Sequence, residues 1–116
     1  MSEDTFPERI IQEYVPGKQI TLAHIIANPN PDLYEKLGIT DTTLPIGIIT
    51  ITPSESSILA GDIARKSGNV HIGFLDRFSG SVFLVGKIDD LIASLESVNN
   101  FFLNELNFNV TNITRS

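Results

Sequence analysis

The chain has 116 residues, a net charge of −6 at pH 7 and no cysteine. With 41% hydrophobic and 19% charged residues, it is long enough to bury one core and is expected to form a single domain. The acidic balance argues against nucleic acid, whose phosphates bind basic surfaces. The lack of cysteine excludes disulfides, thiolate nucleophiles and Cys-based zinc sites. So low a charge on a small surface indicates that apolar surface is buried against a partner or against further copies.

No targeting or membrane segment is predicted. The N-terminal stretch Met1 to Thr5 is acidic and polar, unlike a signal peptide. The longest apolar runs, of about six residues, are too short to span a bilayer.

The N-terminal part contains a strand pattern that has no neighbour along the chain. Residues 1–8 are predicted to be a loose acidic lead. The strand that follows ends at the turn signal Pro16-Gly17. Nothing beside it resembles a hairpin partner, so we expect another chain to pair with it. Its residues are Arg9, Ile10, Ile11, Gln12, Glu13, Tyr14 and Val15.

A second strand is predicted from Ile20 to Ala27, because the stretch is apolar and a Pro-rich run stops it. Asn30 is placed to cap a short helix with Pro31 at its first position, and Gly38 is placed to end that helix. Residues 39–45 are expected to be a loop.

The pattern from residue 46 onward is regular. A buried strand, Ile46 to Ile51, precedes a predicted capping box in which Thr52 is the N-cap and Glu55 the N3 residue, and the helix is expected to run to Ser67. Strands at 70–75 and 81–85, a helix at about 89–106 and a last strand at 108–114 follow. This order predicts a ferredoxin-like α+β fold, with an antiparallel sheet and helices on one face.

Candidate catalytic groups are few, and none forms a recognisable constellation. His24, His71 and Asp76 are possible metal ligands, but they lie on separate strands without a spacing motif, which favours ordinary surface roles. Serines near residue 55 are explained by capping, and Asp89-Asp90 by the helix dipole. We therefore predict no catalytic, cofactor or metal site.

Three segments carry a family resemblance. The runs IIQEYVPGKQITLAHIIANP at 10–29, IGIITITPSE at 46–55 and VHIGFLDRFSG at 70–80 resemble the EutS/PduU family of circularly permuted bacterial microcompartment shell proteins. The resemblance covers about residues 8–116. It implies a structural protein without enzyme activity or cofactor. It also implies a hexamer that tiles the shell in the bacterial cytoplasm, with other shell proteins and possible encapsulated enzymes as partners.

The resemblance also implies which residues contribute to assembly. Residues 20–38 look like the strand and short helix that end the ordinary domain, moved to the front, so 20–116 would be a permuted shell domain. Residues 9–19 would supply a strand and turn, with the strand Arg9 to Val15 joining five copies in a six-stranded barrel on the hexamer axis, which leaves no strand edge unpaired. Lys66 matches a lysine at the hexamer edge. The loop that matches the pore rim consists of Arg77, Phe78, Ser79, Gly80 and Ser81.

Two other readings remain open at this stage. One is a ferredoxin-like oligomeric module that senses a ligand or regulates another protein. The other is a metal-dependent enzyme that uses His24 and His71. The sequence does not choose between ethanolamine and propanediol utilisation, between a flat and a bent hexamer, or between an open and a closed pore.

Overall fold

The computed structural model describes residues 18–39 and 43–116. The predicted barrel strand Arg9 to Val15 and its Pro16-Gly17 turn lie outside these residues. The elements, in chain order, are β1 (Gln19–Ile26), α1 (Pro31–Lys36), β2 (Ile46–Thr52), α2 (Ser56–Ser67), β3 (His71–Asp76), β4 (Ser81–Val85), α3 (Ile88–Leu106) and β5 (Thr114–Arg115).

The five strands form one mixed sheet in the order β3-β4-β2-β1-β5. The pairs β1–β2, β2–β4 and β3–β4 are antiparallel, whereas β1–β5 is parallel. The prediction of an antiparallel sheet is therefore wrong at this edge. The reason is the crossover: α3 carries the chain back across the sheet after β4, so β5 runs in the direction of β4 and hence of β1.

Helices α2 and α3 cover one face of the sheet, as predicted. Alternate residues of β2 and β4, including Ile49 and Leu84, join buried residues of both helices in one core. Phe102 of α3 closes this core against Phe108, with ring centroids 4.8 Å apart at an interplanar angle of 70°. The apolar side chains that recur every two residues in the strands and every three to four residues in the helices therefore pack together in a single layer.

The two helices approach each other closely. The Ser94 hydroxyl donates a hydrogen bond of 2.8 Å to the Ala64 carbonyl oxygen, and both residues are fully buried. Gly68 ends α2 in an extended conformation, and a Cβ there would lie 2.5 Å from the Ser94 Oγ and 2.9 Å from the Asp90 carbonyl oxygen. Glycine is thus required at this position by the neighbouring helix rather than by its own backbone angles.

The predicted capping box is wrong. Thr52 remains in β2, where it pairs with Gln19 of β1, and α2 begins four residues later at Ser56. The intervening residues form turns in which Ser56 N–H donates to the Pro53 carbonyl oxygen at 3.0 Å. The N-cap is Glu55, which makes no side-chain cap hydrogen bond. Strand pairing therefore takes precedence over the local capping pattern.

The short helix α1 follows the sequence prediction. The Asn30 side chain accepts a hydrogen bond of 2.9 Å from the Asp32 amide, with Pro31 in the first turn. Gly38 follows with a φ of +70°, a conformation that glycine adopts without steric cost.

The predicted last strand, Phe108 to Thr114, pairs with a neighbouring strand at only a few of its residues. Asn109 makes an isolated bridge to Gln19, and regular pairing is confined to Thr114 and Arg115. The segment is therefore paired with β1 near each end. In between, the Asn99 side chain of α3 donates a hydrogen bond of 2.9 Å to the Thr111 carbonyl oxygen.

Candidate assembly surfaces

The face of the sheet opposite α2 and α3, called the helix-free face below, is apolar. The segment that follows α1 covers one end of it, where Ile46 and Val85 are buried, and the rest is partly exposed. The pairing register places Leu22, Ile48, Phe74 and Phe83 on this face. Phe74 and Phe83 meet edge to face, with centroids 5.9 Å apart, and Phe74 is still 41% exposed. Sequence analysis missed this surface because it treated Ile46 to Ile51 as a buried strand, while the exposure of one face depends on pairing that local patterns do not reveal.

Lys66 lies in the last turn of α2 with its side chain exposed. Its Nζ is 2.9 Å from the Asp62 carboxylate one turn earlier. This i,i+4 pair has the favourable order, with the acid nearer the helix N-terminus, but so exposed a pair stabilises the fold by only a few tenths of a kcal/mol, about 0.3–0.5. Breaking the pair with Asp62 would therefore cost little free energy, and Lys66 is available to bind a neighbouring molecule.

The turn between β3 and β4 presents an aromatic side chain to solvent. Phe78 is 81% exposed, and the Arg77 guanidinium lies 5.0 Å from its ring centroid. Two hydrogen bonds to Asp76 hold the turn backbone in place. The Gly80 amide donates to the Asp76 carbonyl oxygen at 2.9 Å, and the Phe78 amide donates to the Asp76 Oδ1 at 2.9 Å. The Ser79 Oγ lies 3.1 Å from the Ser81 Oγ, within hydrogen-bond distance.

The Asp76 carboxylate is ionised at neutral pH. The hydrogen bond from the Phe78 amide, followed by that from the Ser79 hydroxyl, holds the pKa of Asp76 below its ordinary value. Its charge lies beside that of Arg77, so the turn as a whole carries no net charge, and the exposed phenyl ring is its distinguishing feature.

The two histidines do not form a shared site. Both lie on the helix-free face, but three strand spacings separate them, about 14 Å across the sheet. His24 is bonded to the C-terminal segment, with its Nδ1 2.6 Å from the Thr114 Oγ1 and its Nε2 2.8 Å from the Ser116 Oγ. The open alternative of a metal site at His24, His71 and Asp76 thus receives no support, since the described residues contain no group of three His, Asp or Glu side chains that could hold a metal ion.

A cleft beside α1 is the described feature most relevant to a ligand-sensing role. It has a volume of about 340 Å³ and is lined by Asn28, Pro29, Pro31, Tyr34 and Thr43. None of these side chains is charged at neutral pH, burial raises the pKa of Tyr34, and the Tyr34 hydroxyl already donates to the Leu44 carbonyl oxygen. The cleft therefore offers no charged side chain to bind an ionised ligand.

Within the described residues, no helix is both long enough and apolar enough to cross a membrane.

Known proteins supply close relatives over the whole chain. The microcompartment shell protein PduU of Salmonella typhimurium is 53% identical over 116 residues, which is all of both chains. The shell protein CutR of Streptococcus intermedius is 50% identical over 94% of this chain and 93% of its own, and EutS of Escherichia coli is 47% identical over 94% and 97%. No family model matches the chain.

Solved structures agree with the sequence relatives. A structure described as a flat hexamer of CutR superposes with a TM-score of 0.84 at 49% identity, covering 93% of this chain and 99% of that one. Another, described as a CutR screw, has a TM-score of 0.80 at 46% identity and covers 87% of this chain and 100% of its own. A fused permuted hexameric shell protein shares the fold, with a TM-score of 0.64 at 15% identity over 72% of this chain and 46% of its own. The chain therefore belongs to the bacterial microcompartment shell proteins, the family of PduU, EutS and CutR, whose members are structural proteins and not enzymes.

Proposed function

We propose that the chain is a structural subunit of a bacterial microcompartment shell and works as a closed hexamer that tiles the shell. The observation that carries this proposal is the likeness to the CutR flat hexamer, which extends over 93% of the chain with a TM-score of 0.84. The alternative, a ligand-sensing module, receives no support from the relatives. The compartment's pathway is not assigned, because the identities to PduU, CutR and EutS lie too close together to select one system.

The proposal is tested by native mass spectrometry of the full chain at micromolar concentration. We expect a dominant species of about six times the 12.7 kDa chain mass. A spectrum that contains monomer alone would overturn the hexamer, and with it the tiling function.

We also propose that residues 20–116 are a circularly permuted shell domain and that residues 9–19 add a strand and turn to an axial six-stranded barrel. The strand-like sequence of Arg9 to Val15, which has polar and apolar residues on both faces, and the lack of a predicted hairpin partner support the barrel. Deletion of residues 1–15 is expected to leave a hexamer that has lost density on its axis in electron microscopy. Axial density that is unchanged after the deletion would exclude the barrel.

Lys66 is proposed to bind neighbouring hexamers at the edge of the tile. Its exposure and its position at the end of α2 support this role. In Lys66→Ala, we expect hexamers of unchanged mass that no longer form extended two-dimensional sheets in negative-stain micrographs. Asp62→Asn is the matched control, because it removes the intrachain pair but leaves the lysine. Sheets in Lys66→Ala as extensive as those in the control would contradict the edge role.

The turn Arg77 to Ser81 is proposed to rim the central pore. The uncharged balance of the turn and the exposed Phe78 ring would make that rim apolar. We further propose that the shell lies in the bacterial cytoplasm, with other shell proteins and encapsulated enzymes as its partners.

A further inference from the structure

The helix-free face of the sheet has the composition of a buried interface. Leu22 and Phe74 are 37% and 41% exposed, and Ile48 and Phe83 lie half-buried between them. Among the described strand residues that the register places on this face, the ionisable ones are His24, His71 and Asp76, and none is Lys, Arg or Glu. Permanent interfaces resemble a domain core divided in two, with charged residues depleted at the centre.

A second apolar surface lies on the opposite side of the subunit. Ile58 and Leu59, in the first turn of α2, are 51% and 36% exposed. Farther along, the exposed residues of this helix are charged or polar: Asp62, Arg65, Lys66 and Ser67. The apolar part of the outer α2 surface is therefore confined to the N-terminal turn.

The two surfaces lie at the same end of the subunit. Phe74 and Phe83 are close to the turn between β3 and β4, and the Ile51 amide donates to the Gly80 carbonyl oxygen in that turn at 2.9 Å. Ile51 is close to the end of β2, a few residues before α2 begins. Ile58 and Phe74 thus lie at the same end of the two-layer domain, Ile58 on the helix layer and Phe74 on the sheet layer.

Closed cyclic rings require two different surfaces on each subunit, since each copy contacts one neighbour with one side and the other neighbour with the opposite side. We infer that Ile58 and Leu59 of one copy pack onto the helix-free sheet face of the next copy, beside Phe74 and Phe83. This inference rests on the proposed hexamer and adds which surfaces close it. The matching position of the two apolar patches lets every copy make the same contact around the ring.

The lack of native cysteine permits a direct test. The double variants Ile58→Cys/Phe74→Cys and Leu59→Cys/Phe74→Cys are oxidised with copper phenanthroline and run on a non-reducing gel. An intrachain disulfide is excluded, because the sheet separates the two positions and disulfides need Cα atoms within about 7 Å. We expect at least one double variant to give a ladder that extends to six chains, and each single variant to remain uncrosslinked.

Two outcomes would overturn the inference. A covalent dimer from Phe74→Cys alone would mean that two sheet faces meet each other. Hexamers of the double variants that give no ladder would place the contact elsewhere while leaving the hexamer itself intact. A wild-type protein that is monomeric by native mass would instead contradict the proposed function, so the two failures are distinguishable.

A charge substitution provides a second measurement that does not depend on crosslinking. Because Ile58 is half-exposed in the subunit, Ile58→Glu is expected to keep the circular dichroism spectrum of the wild type but to lose the hexamer in native mass spectra. Asn69→Glu adds the same charge at an exposed position beyond the other end of α2 and is expected to stay hexameric. A hexameric Ile58→Glu protein would contradict the inference.

Discussion

Gly68 shows how one side chain, or its absence, sets the distance between two helices. Its backbone is extended, so any residue could adopt it, but the Ser94 hydroxyl and the Asp90 carbonyl oxygen occupy the space that a Cβ would need. Both partners are held in place, the serine by its bond to Ala64 and the carbonyl by α3. Close packing here leaves little room for adjustment.

We therefore expect Gly68→Ala to destabilise the protein by about 1–3 kcal/mol, the usual range for overpacking a filled site. The free energy of unfolding would be measured by urea denaturation at one fixed protein concentration, because assembly contributes to apparent stability. Asn69→Ala, at the neighbouring exposed position, serves as a control and is expected to change stability by less than about 0.5 kcal/mol. Equal stabilities of the two variants would show that the helices can move apart.

Asp76 makes the stability of the β3–β4 turn depend on pH. Because amide and hydroxyl donors lower its folded-state pKa below the ordinary value of 3.8, the carboxylate stabilises the turn at pH values above 3.8. This contribution is lost as the pH falls through the lower, folded-state pKa. The stability difference between wild type and Asp76→Asn should therefore be largest near neutral pH and shrink in acid. A difference that stays constant from pH 7 to pH 2 would contradict this account.

At the scale of elements, the parallel pairing of β5 with β1 depends on few contacts. The Ser116 amide donates to the Ile25 carbonyl oxygen at 2.9 Å, and the Ala27 amide donates to the Ser116 carbonyl oxygen at 3.0 Å. His24 adds two side-chain hydrogen bonds, to Thr114 and Ser116. So short a strand is expected to open locally before the central sheet does.

His24→Ala is predicted to speed amide hydrogen exchange at Ala27 and Ser116, because both imidazole contacts to the C-terminal segment are lost. Exchange at the Ile51 amide, which is bonded to the β3–β4 turn, should not change. His71→Ala, at an exposed position on the far edge strand, is the matched control and should leave all three amides as in wild type. Unchanged exchange in His24→Ala would mean that the backbone pairing alone holds β5.

The sequence predicted elements well where local and tertiary preferences coincide. The amphipathic period of α3 and the alternation of β4 determine both the element and its buried side, and Asn30 caps α1 through neighbours two residues away. Thr52 was misjudged because its strand partner Gln19 is distant in the sequence. The helix-free face went unpredicted for the same reason, since its exposure depends on how four strands align.

Candidate sites divide in a similar way. Lys66 and the turn around Phe78 were identified through family resemblance, and both lie exposed where a neighbour could reach them. The Asp62 partner of Lys66 follows from helical spacing and could have been predicted. The exposure of Ile58 and Leu59 was not predicted, because it depends on how far the neighbouring elements cover the start of α2, which local sequence patterns do not reveal.

At the scale of the whole molecule, much of the apolar surface is left for neighbours rather than covered within one chain. Residues on both sides of the two-layer domain, such as Phe74 and Ile58, are half-exposed although they are large and hydrophobic. A single copy therefore leaves apolar area exposed that association in the proposed hexamer would bury.

The apparent melting temperature should accordingly rise with protein concentration, as mass action requires when the folded subunit is also the one that assembles. Differential scanning calorimetry over a hundredfold range of concentration would measure this. Ile58→Glu, whose assembly is expected to fail, should melt at one temperature across the same range. A concentration-independent transition in the hexameric wild type would show that the ring does not dissociate as the chain unfolds.

The pairing of β5 with β1 also affects the order in which the sheet forms during folding. β1 can pair with β2 after a connection of about twenty residues, but its contacts with Thr114 and Ser116 span 90 and 92 positions. Contacts between distant positions close slowly, because the intervening chain must first be ordered. During synthesis, the outer edge of β1 therefore stays open until nearly the whole sequence has left the ribosome, and for that interval it can accept a strand from another nascent chain.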